Sequence, residues 1–184
     1  NLLLLCLSFT LVSCWNRGAL ETEVLANDGI YSAAFDDVGS LALISSIYDG
    51  ASLWHSSNKQ QLVLWAHDSI QDQSTHLVAI TDNGKLAATV SNNINLSIWN
   101  GVNGEHIASF QSPSKINQLT IVDQSNAVIV ALDNHTSLLI DITSGSTLAV
   151  FNHQSKINSV DLNINKIISI NGSADPVSYT HLLA

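Results

Sequence analysis

Residues 76–110 read HLVAITDNGKLAATVSNNINLSIWNGVNGEHIASF and decide how this chain folds. Runs of Ile, Val, Leu and Ala alternate there with clusters of Asn, Asp, Gly and Ser, which is the pattern of short β-strands separated by turns. Asp82-Asn83-Gly84 is a strong hairpin signal, because Asn and Gly accept the positive φ angles of a tight turn. No window carries the 3.6-residue apolar period of a helix. The stretch predicts four strands, near His76–Thr81, Lys85–Ser91, Asn95–Trp99 and His106–Phe110.

The same pattern recurs before and after this unit. The segments 53–65, 98–110 and 139–151 align without gaps, and each has a large apolar residue at the same two positions. Successive segments are 45 and then 41 residues apart. The spacing of 41 also separates Ser114–Asn117 from its copy Ser155–Asn158. Two independent matches at one period predict a repeat protein, with units near 26–65, 66–110, 111–151 and 152–175. The superimposed residues are Trp54, Trp99 and Ile140; Trp65, Phe110 and Phe151; and the turn glycines Gly104 and Gly145.

Two stretches resemble the WD-repeat family. Ser91–Asn100 looks like the third strand of a WD repeat with its terminal Trp-Asp, and Phe151–Val160 looks like the Gly-His opening and first inward strand. The resemblance covers about residues 26–175. It implies an all-β fold, a β-propeller of four-stranded antiparallel blades. About three and a half blades are then present, so the propeller is incomplete.

The two signature dipeptides of that family are altered in this chain. Trp-Asp appears as Trp54-His55, Trp99-Asn100 and Ile140-Asp141, and Gly-His appears as Ala66-His67 and Asn152-His153. The family's buried His–Ser/Thr–Asp–Trp hydrogen-bond network therefore cannot be complete in every blade. Recurrence at the repeat period predicts structural roles, in turns for His67 and His153 and in core packing for Trp54, Trp65 and Trp99.

No motif in the sequence points to catalysis or metal binding. The seven His residues show no His-x3-His spacing, and no Cys-x2-Cys pair occurs. Nucleophile elbows, phosphate-binding glycine loops and zinc-protease helices are missing as well. Asp36-Asp37, with Gly39 two residues on, indicates a turn rather than a carboxylate pair for acid–base chemistry. We therefore expect no catalytic residue, no metal ion and no cofactor.

A competing interpretation stays open. The turn Asp141–Gly145 resembles the Asp-x-x-Thr-Gly of quinoprotein-type blades, although Phe151 stands where that family has Trp. This resemblance implies part of a propeller enzyme of the quinoprotein dehydrogenase type. Carboxylates for a Ca²⁺ site and an adjacent Cys pair, which would favour that interpretation, are not found.

The N-terminus predicts an export signal. Leu2–Val12 is apolar apart from Cys6, Ser8 and Thr10, and it is shorter than the roughly 20 residues that span a bilayer. It ends in Leu11–Cys14, which resembles the lipobox of bacterial lipoproteins and implies lipidation at Cys14 after removal of residues 1–13. Trp15, a residue other than Asp after that Cys, then implies the outer membrane. An ordinary secretory signal and a buried strand are the alternatives.

The charge balance restricts the partners. The chain has 15 acidic and 6 basic residues, for a net charge of −9, so it would be repelled by nucleic acid and by anionic lipid head groups. We therefore expect other proteins as partners, contact with the membrane through the lipid anchor only, and no nucleic acid. The function expected is a non-catalytic, protein-binding scaffold, anchored to the outer membrane and facing the periplasm.

Both ends of the sequence carry a further expectation. The missing Met and basic n-region indicate a truncated start. The register places Leu20–Leu25, within the segment 14–25, as an outer strand that closes the final blade of a complete propeller. Residues 176–184 do not conform to the repeat and resemble a translated cloning adapter, so we give them no functional weight.

Overall fold

A computed structural model describes residues 29–66, 74–163 and 166–171. Several predictions from sequence lie outside these residues: the signal 1–13, lipidation at Cys14, the closing strand Leu20–Leu25, the turn role of His67 and the tail 176–184. The described part is built from short strands. They are β1 Ile30–Phe35, β2 Leu41–Ser46, β3 Ala51–His55, β4 Gln60–Trp65, β5 Thr75–Ile80, β6 Leu86–Ser91, β7 Asn95–Asn100, β8 His106–Gln111, β9 Ile116–Val122, β10 Ala127–Leu132, β11 Thr136–Asp141, β12 Thr147–Asn152, β13 Ile157–Asn163 and β14 Lys166–Asn171.

The strands form a β-propeller. Three four-stranded antiparallel sheets follow chain order, and β13 pairs with β14 in a fourth. We number these sheets as blades 1 to 4. The first strands of neighbouring blades contact one another, from β1 through β5 and β9 to β13. They are therefore the innermost strands, and the fourth strand of each complete blade is the outermost. The four strands predicted within residues 76–110 are β5–β8, each displaced by no more than one residue at either end.

The core lies between the blades. The second strands β2, β6 and β10 carry no charged residue and are almost completely buried, and β6 and β10 have a neighbouring blade on each face. Their side chains contribute to three apolar clusters, one at each junction between consecutive blades. Such a stack of sheets places each blade's stability in its contacts with its neighbours.

One β-bulge recurs in every complete blade. It lies between the third and fourth strands, where the pairing advances by one residue on the third strand and by two on the fourth. The extra residues are Leu62, Ile107 and Leu148. A bulge reverses the alternation of side chains along a strand. The residue directly before the extra one and the residue three positions further along therefore face the same neighbouring blade, as Thr147 and Val150 do.

Antiparallel pairing divides the turns between two ends of the molecule. Turns after the first and third strands of each blade lie at one end, which we call the hairpin face. Turns after the second strands, and the connections between blades, lie at the other end, which we call the connection face. Any surface formed by several blades must combine turns from one of these faces.

Candidate functional site

The superimposed third-strand residues occupy one structural position. Trp54, Trp99 and Ile140 pair with Ala42, Ala87 and Val128 on the second strands. Their polar partners differ from blade to blade. The indole N–H of Trp99 donates to Thr89 Oγ1 over 2.9 Å, whereas that of Trp54 donates to Ser52 Oγ over 2.7 Å. Ile140 is completely buried and makes apolar contacts only.

The superimposed fourth-strand residues face the next blade. Trp65 is buried, stacks on Trp99 of blade 2 at 5.4 Å between ring centroids, and donates its indole N–H to Gly104 O over 2.9 Å. Phe110 and Phe151 are half-buried and pack into the two following junctions. All three residues therefore lie where one blade meets the next, and none of them is presented to solvent as a separate aromatic platform.

The altered Trp-Asp positions end the third strands with a turn cap. Asn100 Oδ1 accepts the N–H groups of Val102 and Asn103, at 2.8 and 3.2 Å. Asp141 Oδ1 accepts the N–H of Ser144 at 2.8 Å and that of Thr143 at 3.0 Å, and also the Ser144 hydroxyl. An amide and a carboxylate thus perform the same local task in blades 2 and 3.

These hydrogen bonds change the titration of Asp141. The Ser144 N–H and hydroxyl hold the pKa of the Asp141 carboxyl below its usual value, with further bonds from the Thr143 N–H and the Asn126 amide. Partial burial acts weakly in the opposite direction. Asp141 Oδ1 is therefore occupied by donors of its own turn, and Oδ2 accepts the Asn126 amide at 3.1 Å.

Asp36 is a buried carboxylate that also belongs to a turn. It is 7% exposed, accepts the Leu41 N–H at 2.8 Å and accepts the Ser40 hydroxyl at 2.6 Å. Burial would raise the pKa of Asp36, but the hydrogen bonds from Leu41 and Ser40 outweigh it and leave the pKa lowered. The group is an ionised turn cap, as the Asp36-Asp37 pattern indicated.

His153 lies in the connection between blades 3 and 4. Its backbone N–H donates to His135 O over 2.9 Å, and its Nε2 lies 3.3 Å from Ser137 Oγ. Burial lowers the pKa of the His153 imidazole, which favours the neutral ring near neutral pH. The structural turn role expected for His153 from the repeat stays a prediction.

The hairpin face presents two apolar side chains that sequence reasoning missed. Val38, in the β1–β2 turn, is 79% exposed, and Val102, in the β7–β8 turn, is 77% exposed. The available signal was a Val inside each of two turns made otherwise of Asp, Asn and Gly. Exposed carboxylates accompany them on this face, from Asp37, Asp82 and Glu105.

Neighbouring hairpins on this face are joined directly. The Asp37 N–H donates to Asp82 O over 3.1 Å, and the Asn83 amide donates to Asp123 Oδ2 over 2.6 Å. The first-to-second-strand turns of blades 1, 2 and 3 are thereby held in one row. Side chains at the tips of these turns are presented on a rigid support rather than on independent loops.

The described residues contain neither a metal-binding cluster nor a membrane-spanning helix. No group of three or more His, Cys, Asp and Glu residues is arranged there to hold a metal ion. In the same part of the chain, no helix is both long enough and apolar enough to cross a membrane.

Comparisons with known proteins identify the fold. No protein-family model matches the chain, and no curated protein matches it significantly in sequence. The crystal structure of the RRP9 WD40 repeats is similar to it with a TM-score of 0.67 and 14% identity, over 79% of this chain and 46% of that one. The computationally designed Ika4 protein is similar with a TM-score of 0.68 and 18% identity, over 88% of this chain and 99% of that one. The chain therefore has a WD-repeat-like propeller fold, and it spans about half the length of the RRP9 chain.

Proposed function

We propose that this propeller is a non-catalytic scaffold that binds other proteins through its hairpin face. The observation that carries the proposal is the exposure of Val38 and Val102 on turns that are both tied to the β5–β6 turn. The turn of Val38 is tied to it by the bond from the Asp37 N–H to Asp82 O, and the turn of Val102 by the bond from the Gly101 N–H to Lys85 O. Apolar side chains held rigidly in water are typical of protein interaction sites, where their burial provides affinity. The carboxylates around them would favour a partner surface that carries basic residues.

The described groups with the chemistry for catalysis support the same conclusion. Asp36 is hydrogen-bonded within its own turn, Asp141 is hydrogen-bonded within its turn and to the Asn126 amide, and His153 contacts blade 3 beside Ser137. Each of these side chains stabilises local structure. A general base or a nucleophile would instead need a free lone pair directed into a cleft.

We place the scaffold on the periplasmic side of a bacterial outer membrane, held by a lipid on Cys14. The support is the apolar run Leu2–Val12 followed by the lipobox-like Leu11–Cys14. An anchor at the N-terminus would leave both turn faces of the propeller accessible to partners. A single acyl-bearing residue of this kind contributes membrane affinity without any contact between the blades and the bilayer.

The binding proposal is tested by placing charge on the hairpin face. The double variant Val38→Arg, Val102→Arg is expected to keep the melting temperature of the wild type, because both side chains are exposed, and to lose its cross-linked partners in a Gram-negative periplasm. Tyr48→Arg is the matched control, since Tyr48 is 65% exposed but lies in a turn of the connection face. Cross-links that survive in the double variant and disappear in the control would contradict the proposal.

The anchor is tested separately. Cys14→Ala should move the protein from the membrane fraction to the soluble periplasm and leave an unprocessed precursor, detected by fractionation and mass spectrometry. Unchanged fractionation and unchanged mass of the processed protein would exclude lipidation at Cys14, while leaving the hairpin-face proposal untouched.

A further inference from the structure

A groove opens at the rim between blades 2 and 3, lined by four apolar and five polar residues. Its volume is about 550 Å³, and its nine lining residues include no charged side chain. Phe110 and Pro113 form the blade 2 side. Leu138 on β11 and Thr147 and Val150 on β12 form the blade 3 side. Thr147 and Val150 both face the groove because the bulge at Leu148 lies between them.

Larger side chains occupy the equivalent positions at the junction between blades 1 and 2. Trp65 stacks there on Trp99, and the Trp99 ring meets that of His106 edge-on at 5.1 Å. Smaller residues hold the corresponding positions between blades 2 and 3. The replacements are Trp65 by Phe110, Trp99 by Ile140 and His106 by Thr147. Loss of two indoles and an imidazole leaves the outer part of this junction unfilled.

An uncharged strand edge borders the groove. Within the described residues, β12 is the last strand of the order β12-β11-β10-β9, so its outer backbone N–H and C=O groups have no neighbouring strand. Its sequence, TLAVFN, contains no Lys, Pro or acidic residue of the kind that normally blocks pairing at an edge. Leu148 and Val150 on β12 are 55% and 54% exposed.

The groove and the edge together specify what can cover them. An added strand would satisfy the outer backbone groups of β12, and every second side chain of that strand would point to the groove side of the sheet. There it would lie beside Val150 and opposite Phe110. The uncharged lining and the chain's net charge of −9 disfavour acidic residues in such a strand.

We infer that the edge of β12 binds an extended segment of a partner protein, which adds as a fifth strand to blade 3 and inserts an aliphatic or aromatic side chain into the groove. This inference rests on the proposed function and specifies one kind of partner: a segment with alternating apolar residues and no acidic ones. It is a second contact, at the rim of the propeller and separate from the turns of the hairpin face.

The probe is a phage-displayed library of random peptides of about ten residues, enough to cover a six-residue strand and both of its ends. Selection against the full chain should enrich alternating apolar peptides without acidic residues. The strongest is then synthesised and its affinity measured by fluorescence anisotropy. Val150→Lys should weaken binding at least about tenfold, because a charge at the edge opposes strand pairing. Hydrogen exchange of the β12 amides should slow when the peptide is bound.

Leu64→Lys is the matched control. Leu64 holds the same repeat position on β4, is 53% exposed and has no groove-lining role, so this variant should bind the peptide as the wild type does. A copy of the peptide that is N-methylated at alternate residues should lose binding, because it cannot complete the ladder. Equal affinity of the methylated peptide, or of Val150→Lys, would overturn the inference, and so would the absence of any enriched peptide.

The two proposals can fail independently. Loss of peptide binding in Val38→Arg, Val102→Arg, with no loss in Val150→Lys, would assign the peptide to the hairpin face and refute the groove. The opposite outcome has two parts: Val150→Lys weakens peptide binding, and Val38→Arg, Val102→Arg leaves the periplasmic cross-links unchanged. That outcome would support binding at the groove and refute binding at the hairpin face.

Discussion

The indole of Trp99 lies at the junction of two blades and makes a polar contact within one of them and a stacking contact with the other. Its N–H donates to Thr89 Oγ1, and its ring stacks on Trp65. Thr89 is completely buried, so its hydroxyl depends on partners inside the protein. In blade 3, Ile140 holds the position of Trp99 and Val130 that of Thr89, and neither side chain needs a hydrogen bond. Blades 2 and 3 thus each pair compatible residues at these two sites.

Trp99→Ala should lower stability rather than remove a binding group. The expected loss is about 3 kcal/mol, the lower end of the range for a large aromatic, because Trp99 is half-buried. Thermal or urea unfolding measures it. The double variant Trp99→Ile, Thr89→Val, which copies blade 3, should recover part of that loss. A variant that melts like the wild type but no longer binds a partner would show that Trp99 is a binding residue.

Asp141 makes stability depend on pH. Its pKa is lowered in the folded protein by the Ser144 and Thr143 donors, so it stabilises the fold above the carboxyl's unfolded pKa near 3.9. That contribution disappears as the pH falls through the lowered folded value. Asp141→Asn should therefore melt below the wild type at pH 7, with a difference that shrinks as the pH falls through and below the carboxyl's unfolded pKa. Asp37→Asn controls for loss of an exposed surface charge. A difference that stays constant with pH would contradict this account.

At the scale of elements, the turns after the third strands of blades 2 and 3 are fitted against the preceding blade. Gly145 has a φ of 68°, and a Cβ there would lie 2.5 Å from the backbone oxygen of Ser109 on β8. A Cβ at the equivalent Gly104 would lie 2.8 Å from a methyl carbon of Val63. The glycine shared by both turns is therefore required for close contact between blades as well as for the shape of the turn.

Gly145→Ala should destabilise the chain by more than the roughly 1 kcal/mol expected from backbone strain alone, because Ser109 O cannot withdraw from its sheet. Gly39→Ala separates the two effects, since Gly39 has the same φ of 68° with no atom within 4 Å of the added Cβ. Chemical denaturation of both variants gives the difference. Equal losses would show that contact between blades does not constrain this turn.

At the scale of the whole molecule, blade 1 has an apolar side that faces away from blade 2. Ala34, Val63 and Trp65 pack into the junction with blade 2. Side chains alternate along the strands, so Phe35 and Leu64 point to the opposite side, where they are 63% and 53% exposed. A sheet surface of this kind favours association with another apolar surface.

The 184-residue chain is therefore expected to self-associate, and Phe35→Glu with Leu64→Glu should shift it towards the monomer in sedimentation velocity runs. Both substitutions place charge on a surface that is apolar, which opposes its burial. Tyr48→Glu adds the same charge at an exposed residue of the connection face and should leave association unchanged. A wild-type chain that sediments as a stable monomer at high micromolar concentration would contradict the expectation.

Strands, turns and the repeat could all be predicted from the sequence, because their signals are local. A short run of Ile, Val, Leu and Ala bounded by Asn, Asp, Gly or Ser predicts a strand, and Asp82-Asn83-Gly84 predicts its hairpin without reference to any other blade. The superposition of Trp54, Trp99 and Ile140 was likewise visible as a period, and the pairing with the second strands places them at one position.

The contacts between blades required the tertiary structure. Trp65 bonds to Gly104, 39 residues along the chain, and no local pattern shows which side of a bulged strand meets which neighbour. The exposure of Val38 and Val102, the saturation of Asp36 and the groove beside Val150 all depend on how far neighbouring sheets diverge and on which side chains fill the space. Packing at a junction is a property of two repeats together, and a period in one sequence describes each repeat alone.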